Sequence, residues 1–324
     1  MTQSRLKDRL CLIQRYGSFP LAYATLQSTL SHFDDDDGYI AYQPSSTGPL
    51  VLSEPVVDPS KRNRLIDSFL EKYPTATFFH LGSDLMTYLE RLGHKTHRMG
   101  YEHILELDTF EGSWSSHRSL RSGFNKGIKQ VSVSETTLSN LNPADLGRVL
   151  KDWLATKAQR RQNGFLCRPF GYQDEPGCRY FAAWHVETLV GILRFTPLYR
   201  QGIILSYYAD FSAVSPQFSG VKDALYMHAI RTFKDVGIKQ VHLGLAPFSN
   251  SDWYKGGSNL LFHAIHTLNV PRYGYQGITS YLNKFHATKH PIYMMSKTRL
   301  PITPLFRAWR QITSAALADV TSSN

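Results

Sequence analysis

Cysteine is scarce in this chain of 324 residues: Cys11, Cys167 and Cys178 are widely spaced and form no CxxC pair. That spacing argues against a disulfide framework and against a thiolate zinc site, and it fits a reducing cytoplasm. Long apolar runs are missing as well. No stretch approaches the roughly 18–20 residues of a membrane span, and the opening MTQSRLKDRLCLIQRYG scatters charge where a signal peptide needs an apolar core. Contact with a membrane would therefore be made from the surface. Gly-x-Ser-x-Gly elbows, P-loops and zinc-protease motifs are absent too, which disfavours Ser/His/Asp and nucleotide hydrolases. What remains is transfer chemistry, where positioning and oxyanion stabilisation outweigh a nucleophilic side chain.

Acid is also in short supply: 26 Asp and Glu face 36 Lys and Arg, a formal charge of +10. Such an excess favours anionic partners, among them nucleic acid, phosphate and anionic membrane. An apolar share of 42% with 19% charged residues is ordinary for a globular chain, and the length suits two domains or one large one.

Short strands and helices alternate. Residues 5–33 read as two short helices broken at Gly17–Pro20, and the acidic run Asp34–Asp37 as a solvated turn. Strands at GYIAYQP and PLVLSEPVV, a helix over 60–73, the strand ATFFHLG, a helix over 83–92 and the strand YEHILELD follow. A basic helix over 117–129 comes next, with Arg118, Arg121, Asn125 and Lys129 on one face and Leu120 and Phe124 opposite. Gly123 and Gly127 would weaken it by about 1 kcal/mol each, which implies close contact with neighbouring backbone.

The pattern then restarts: QVSVSET, a helix opened by Asn142–Pro143, a hairpin turning near Glu187–Thr188, the strand GIILSYYADF, a helix over 220–236, the strand QVHLGLAP and a helix over 256–269. The fold class is mixed α/β, in two similar lobes joined near residue 130. Residues 303–318 form a basic amphipathic helix that either docks on its own core or lies in a membrane interface.

Three stretches can carry chemistry. In PQFSGVK a turn opens a helix, and free amides there suit a phosphate; Gln217 and Gly220 fit the pyrophosphate loop of GNAT acetyltransferases, whereas Lys222 stands where a small residue is wanted. In HLGLAPFSNSDWYKGG, Gly244 and Ala246–Pro247 bring backbone close to a neighbour or ligand, with Phe248, Trp253 and Tyr254 as pocket walls. YGYQGITSYLNKFHATKHPIY gathers Tyr281, Lys284, His286 and His290. The two histidines fit one helical face, yet no third ligand accompanies them, so no metal site is expected.

Taken in order, DGYIAYQP, FLEKY, LRSGFNKGIK, DWLATK, GFLCRPF, VGILRFTPLY, HLGLAPF and YQGITSYLNKFHATKHPIYM resemble the C-terminal catalytic domain of the lysylphosphatidylglycerol synthases, the multiple peptide resistance factors, over about residues 20–297. The resemblance implies tandem GNAT-like lobes: 1–130, 131–300 as the catalytic lobe, and 301–324 as an amphipathic helix and tail. It further implies transfer of an aminoacyl group from charged tRNA to phosphatidylglycerol or a similar hydroxyl acceptor. No cofactor beyond that co-substrate is expected. A cytoplasmic setting is expected, with peripheral attachment at the inner membrane face as an option, and the chain resembles the stand-alone members that lack the family's membrane spans.

Carried over by position, Lys284 is the candidate for phosphate or carbonyl stabilisation, beside Tyr281. Gly244, Ala246 and Pro247 match the strand end beside the site, and Arg121, Asn125 and Lys126 match a helix that shapes the cleft or holds an anion. Where the family carries Asp and Arg, this sequence places Ser206 and Ala209, with Asp210 compensating from a shifted position and Tyr208 as its catalytic neighbour. Two alternatives stand beside this reading: an acyl-CoA-dependent acyltransferase using Gln217 and Gly220, and a silent lobe pair that binds RNA or anionic membrane.

Overall fold

The computed structural model describes residues 3–110, 117–157, 160, 162–249, 257–268 and 274–314. Trp253 and Tyr254, read above as pocket walls, lie outside the described residues, as does the chain beyond 314.

In chain order the elements are α1 (Gln3–Tyr16), β1 (Ser31–Asp35), β2 (Gly38–Gln43), β3 (Leu50–Leu52), β4 (Val56–Val57), α2 (Arg62–Lys72), β5 (Thr77–Leu81), α3 (Ser83–Arg91) and β6 (Lys95–Glu106). They continue with α4 (Arg118–Ile128), β7 (Ser132–Thr136), α5 (Pro143–Ala155), β8 (Arg179–His185), β9 (Thr188–Arg200), β10 (Ile203–Val214), α6 (Val221–Asp235) and β11 (Gln240–Pro247). Last come α7 (Gly257–Thr267), α8 (Tyr275–Asn283), β12 (Thr288–Ser296) and α9 (Ile302–Ser314).

Among the described residues twelve strands join in one mixed sheet, ordered β1-β2-β3-β5-β12-β6-β11-β10-β9-β8-β7, with β4 beside β2. Most neighbours are antiparallel; β3–β5 and β10–β11 are parallel. The last strand, β12, lies between β5 and β6 and runs antiparallel to both, so the chain returns to the half of the sheet where it began. Apolar cores cover the faces, one under α2 and α3, another under α6, a third under α5.

Two local readings need correction. The second helix expected within 21–33 is a single 3-10 turn, Tyr23–Leu26, because Ser31–Asp35 is committed to a hairpin with β2. The acidic run is likewise half strand, and it is not merely solvated: Asp34 takes Arg9 at 2.8 Å, and Asp35 and Asp37 take Arg64 at 3.2 and 2.8 Å. His286 and His290 share no helical face, since α8 ends at Asn283 and His290 belongs to β12.

The basic helix is present as α4, and its glycines are explained by α6. A Cβ on Gly127 would stand 2.4 Å from the Gly220 carbonyl oxygen, and one on Gly123 would fall on the Asp223 carboxylate. Gly220 itself has a left-handed φ of 83° at the start of α6, a conformation that costs L residues energy. Leu120 and Gly127 are buried, while Arg118, Arg121, Asn125, Lys126 and Lys129 point to solvent and form no ion pair with the described residues.

Candidate functional site

A cavity of about 600 Å³ opens between α5, the 162–168 segment, β10, α6 and α8. Trp153 and Lys157 line it from α5 and the residues just after it, Asp210 and Phe211 from β10, Lys222 and Tyr226 from α6, and Tyr281 from α8.

β10 owes its contribution to a bulge. Its register with β9 shifts between Ala209 and Phe211, leaving Asp210 as the extra residue, and a bulge re-aims a side chain that regular alternation would place elsewhere. Asp210 meets Arg194 of β9, whose Nε lies 2.9 and 3.1 Å from the two carboxylate oxygens. Arg168 approaches the same carboxylate at 3.5 Å and bonds Glu175, which also stands 3.5 Å from Arg194. Two guanidiniums and two carboxylates thus balance in one cluster, in which Arg168, Arg194 and Asp210 are nearly dry and Glu175 reaches solvent. Arg194 is 1% exposed and lies between Phe170 and Phe211, its guanidinium carbon 5.0 and 5.9 Å from their ring centroids. Burial, and then the neighbouring Arg194 charge, lower the proton affinity of Arg168, and burial pushes the Cys178 thiol up to about 11.

At the start of α6 the charges are arranged differently. Asp223 is buried and accepts from Lys284 Nζ at 2.9 and 3.2 Å. Lys222 has no carboxylate partner among the described residues; its ammonium lies 3.9 Å from the Tyr281 ring centroid and 5.7 Å from that of Tyr226, a cation–π seat. Burial chiefly, and then the charge of Lys157, lower its pKa to about 8. Lys157, 4.8 Å over Trp153, likewise pairs with no described acid. Burial first and the Asp223 charge next hold the Tyr281 phenol well above its usual range.

Of the residues expected from sequence, Asp210 and Tyr281 line this cavity, and Tyr208 with Asp210 lines a smaller one beside it. Lys284 stands behind the wall and is engaged by Asp223. Ser206 is buried in β10 opposite Leu198 and Gln240. Gln217 is exposed, and the Gly220 turn is filled by α4, with Gln130 Nε2 donating to Ser219 O at 3.0 Å. Arg121, Asn125 and Lys126 line neither cavity. Gly244, Ala246 and Pro247 belong to β11 against β6, and neither cavity includes them. Gly244 answers to conformation, not close approach: a Cβ there meets nothing within 4 Å, and its φ is 113° at a bulge.

Sequence reading passed over Arg168, Arg194 and Lys157. Arg194 did carry a signal, standing alone in the apolar run TLVGILRFTPLY, since a charge inside a buried strand requires a partner. Lys222 drew notice only as a misfit in a phosphate loop.

Solved structures share this architecture. L-PGS from Bacillus licheniformis superposes with a TM-score of 0.81 at 21% identity, covering 97% of each chain. The C-terminal domain of a putative lysylphosphatidylglycerol synthetase from Agrobacterium fabrum gives 0.76 at 16% identity, over 97% of this chain and 96% of that one. Among curated sequences, a phosphatidylglycerol lysyltransferase of Staphylococcus epidermidis is 21% identical over 257 residues, 74% of this chain and 29% of that protein. The chain spans about a third of the length of the curated relatives it matches. The family model described as phosphatidylglycerol lysyltransferase, C-terminal, matches residues 11–296, and the chain belongs to that family.

Proposed function

We propose that this chain transfers an aminoacyl group from a charged tRNA to the hydroxyl of phosphatidylglycerol or a similar anionic lipid, working at the cytoplasmic face of a membrane. The observation that carries the reading is the charge pattern of the cavity. Its arginine is neutralised by carboxylates, while the Lys222 and Lys157 ammoniums face the space without described acids. Two unneutralised cations in one partly desolvated cavity suit a phosphodiester. An anion seated there would offset the burial and the Lys157 repulsion that depress Lys222, and so raise its pKa again.

In the transfer, a lipid hydroxyl oxygen bonds to the ester carbonyl carbon, and the carbon–oxygen bond to the terminal ribose of the tRNA breaks. The ribose oxygen leaves as a hydroxyl, with the proton given up by the lipid. Holding the phosphate fixes the attacking hydroxyl relative to the ester, which converts binding energy into orientation. Lys284 acts through Asp223, a positioning role beside Lys222.

The Gly220 turn supports an aminoacyl-tRNA donor over acyl-CoA. Its backbone is packed against Gly123 and Gly127, where a pyrophosphate loop needs open amides. The test is direct: purified protein, phosphatidylglycerol vesicles and tRNA carrying radiolabelled amino acid. Label is expected in the lipid fraction, and its absence with every charged tRNA would overturn the reading.

A further inference from the structure

The smaller cavity, about 80 Å³, meets the main one at Arg168 and Asp210. Pro20, Leu21, Ala24, Leu166 and Tyr208 form its apolar wall, and Cys167, Thr196, Arg168 and Asp210 complete the lining. Both halves of the sequence build it. Gln27 Nε2 donates to the Phe165 carbonyl at 2.7 Å, and the Tyr23 hydroxyl donates to the Pro176 carbonyl, so the 3-10 turn is fixed against the segment carrying Leu166 and Arg168.

Resting on the aminoacyl-transfer reading, we propose that this chamber receives the side chain of the transferred amino acid and selects a small uncharged one, such as that of alanine, over lysine. Size is the first argument. An apolar cavity of about 150 Å³ holds a benzene ring, so a chamber about half as large takes a group of a few heavy atoms, not four methylenes and an ammonium. Wall chemistry is the second: the carboxylate in the lining, Asp210, is already held by Arg194, so an ammonium among Leu21, Ala24 and Leu166 loses its hydration without an acid of its own. Charge at the mouth is the third. Asp210 already accepts from Arg194 and lies near Arg168. With Arg168 balanced by Glu175 and Asp210, Lys157 and Lys222 leave the cavity lining positive, so a lysyl group adds a second positive charge to a positive site.

The experiment loads one tRNA body with alanine or with lysine, so that tRNA recognition cancels, and follows transfer to phosphatidylglycerol vesicles. The alanyl form is expected to have at least a tenfold higher kcat/KM. Equal or faster transfer of lysine overturns the inference while leaving the transferase reading intact, whereas no transfer of either overturns both. Two variants test the chamber itself. Ala24→Leu fills it and is expected to cut alanyl transfer tenfold or more, and the milder Leu166→Ala enlarges it and is expected to narrow the preference for alanine. An unchanged preference in a folded Leu166→Ala protein, checked by circular dichroism, places the side chain elsewhere.

Discussion

Arg194 holds Asp210 across the β9–β10 hairpin, its Nε 2.9 Å from one carboxylate oxygen and 3.1 Å from the other, at a point where the register has slipped by one residue. Neither partner has more than a trace of solvent, so the pair stands or falls together. Arg194→Met is expected to cost about 3–5 kcal/mol, the penalty for stranding a buried charge. Arg194→Met with Asp210→Leu should cost clearly less than the single change. Urea denaturation of the two variants checks this, and a double variant less stable than the single one would contradict it.

Lys222 offers the opposite case, a cation held beside two rings with no described acid. Lys222→Met removes a poorly solvated charge and is expected to leave stability unchanged or raise it slightly. Its effect should fall on the lipid: KM for phosphatidylglycerol rises about tenfold, a loss of about 1.4 kcal/mol, while KM for the aminoacyl-tRNA stays put. Lys284→Ala should differ, because it strands the buried Asp223 and so lowers both transfer and stability. Steady-state kinetics with each substrate varied in turn separates the two lysines.

Two helical glycines should respond to alanine with opposite signs. Gly127→Ala drives a methyl to 2.4 Å from the Gly220 carbonyl oxygen; the clash is expected to cost about 1–3 kcal/mol, more than the helix-propensity gain of about 1 kcal/mol. Gly147→Ala in α5 meets nothing closer than the Tyr172 hydroxyl at 3.8 Å and should gain up to about 1 kcal/mol. Thermal melts of the two variants on either side of wild type are the expected result.

The contrast between these glycines bears on what a sequence discloses. Glycines four apart in α4 announced a close approach without saying to what, and α6 supplies the answer a hundred residues later. Strand periodicity and the Asn142–Pro143 start were legible because they are local: Asn142 caps α5 by accepting from the Ala144 amide at 2.9 Å. β12 was not, since TKHPIYMMS acquires its meaning only by pairing with Lys95–Glu106 and with β5. In the site, Asp210 was visible through its resemblance to an acidic position. Its partner was not, because the bulge that turns it toward Arg194 leaves no mark in residue types.

Acid should unfold this protein through histidines that folding keeps neutral. His94 and His103 are buried, and burial, followed by the charges of Lys297 and Lys289 respectively, lowers both to about 4. Their ordinary value in an unfolded chain is about 6.5. Since the folded pKa lies below the unfolded one, the stabilisation is complete above about pH 6.5 and drains away as pH falls toward 4, where the unfolded chain binds protons that the folded one refuses. At about pH 5 the loss is on the order of 2 kcal/mol for each histidine. His94→Gln, which keeps a donor for the Ala76 carbonyl now held by Nε2, is expected to lessen the drop in urea midpoint between neutral pH and about pH 5, the remainder falling to His103 and to the other histidines that burial depresses, His97 and His242 among them. A midpoint that falls equally in variant and wild type would assign the acid sensitivity to other groups.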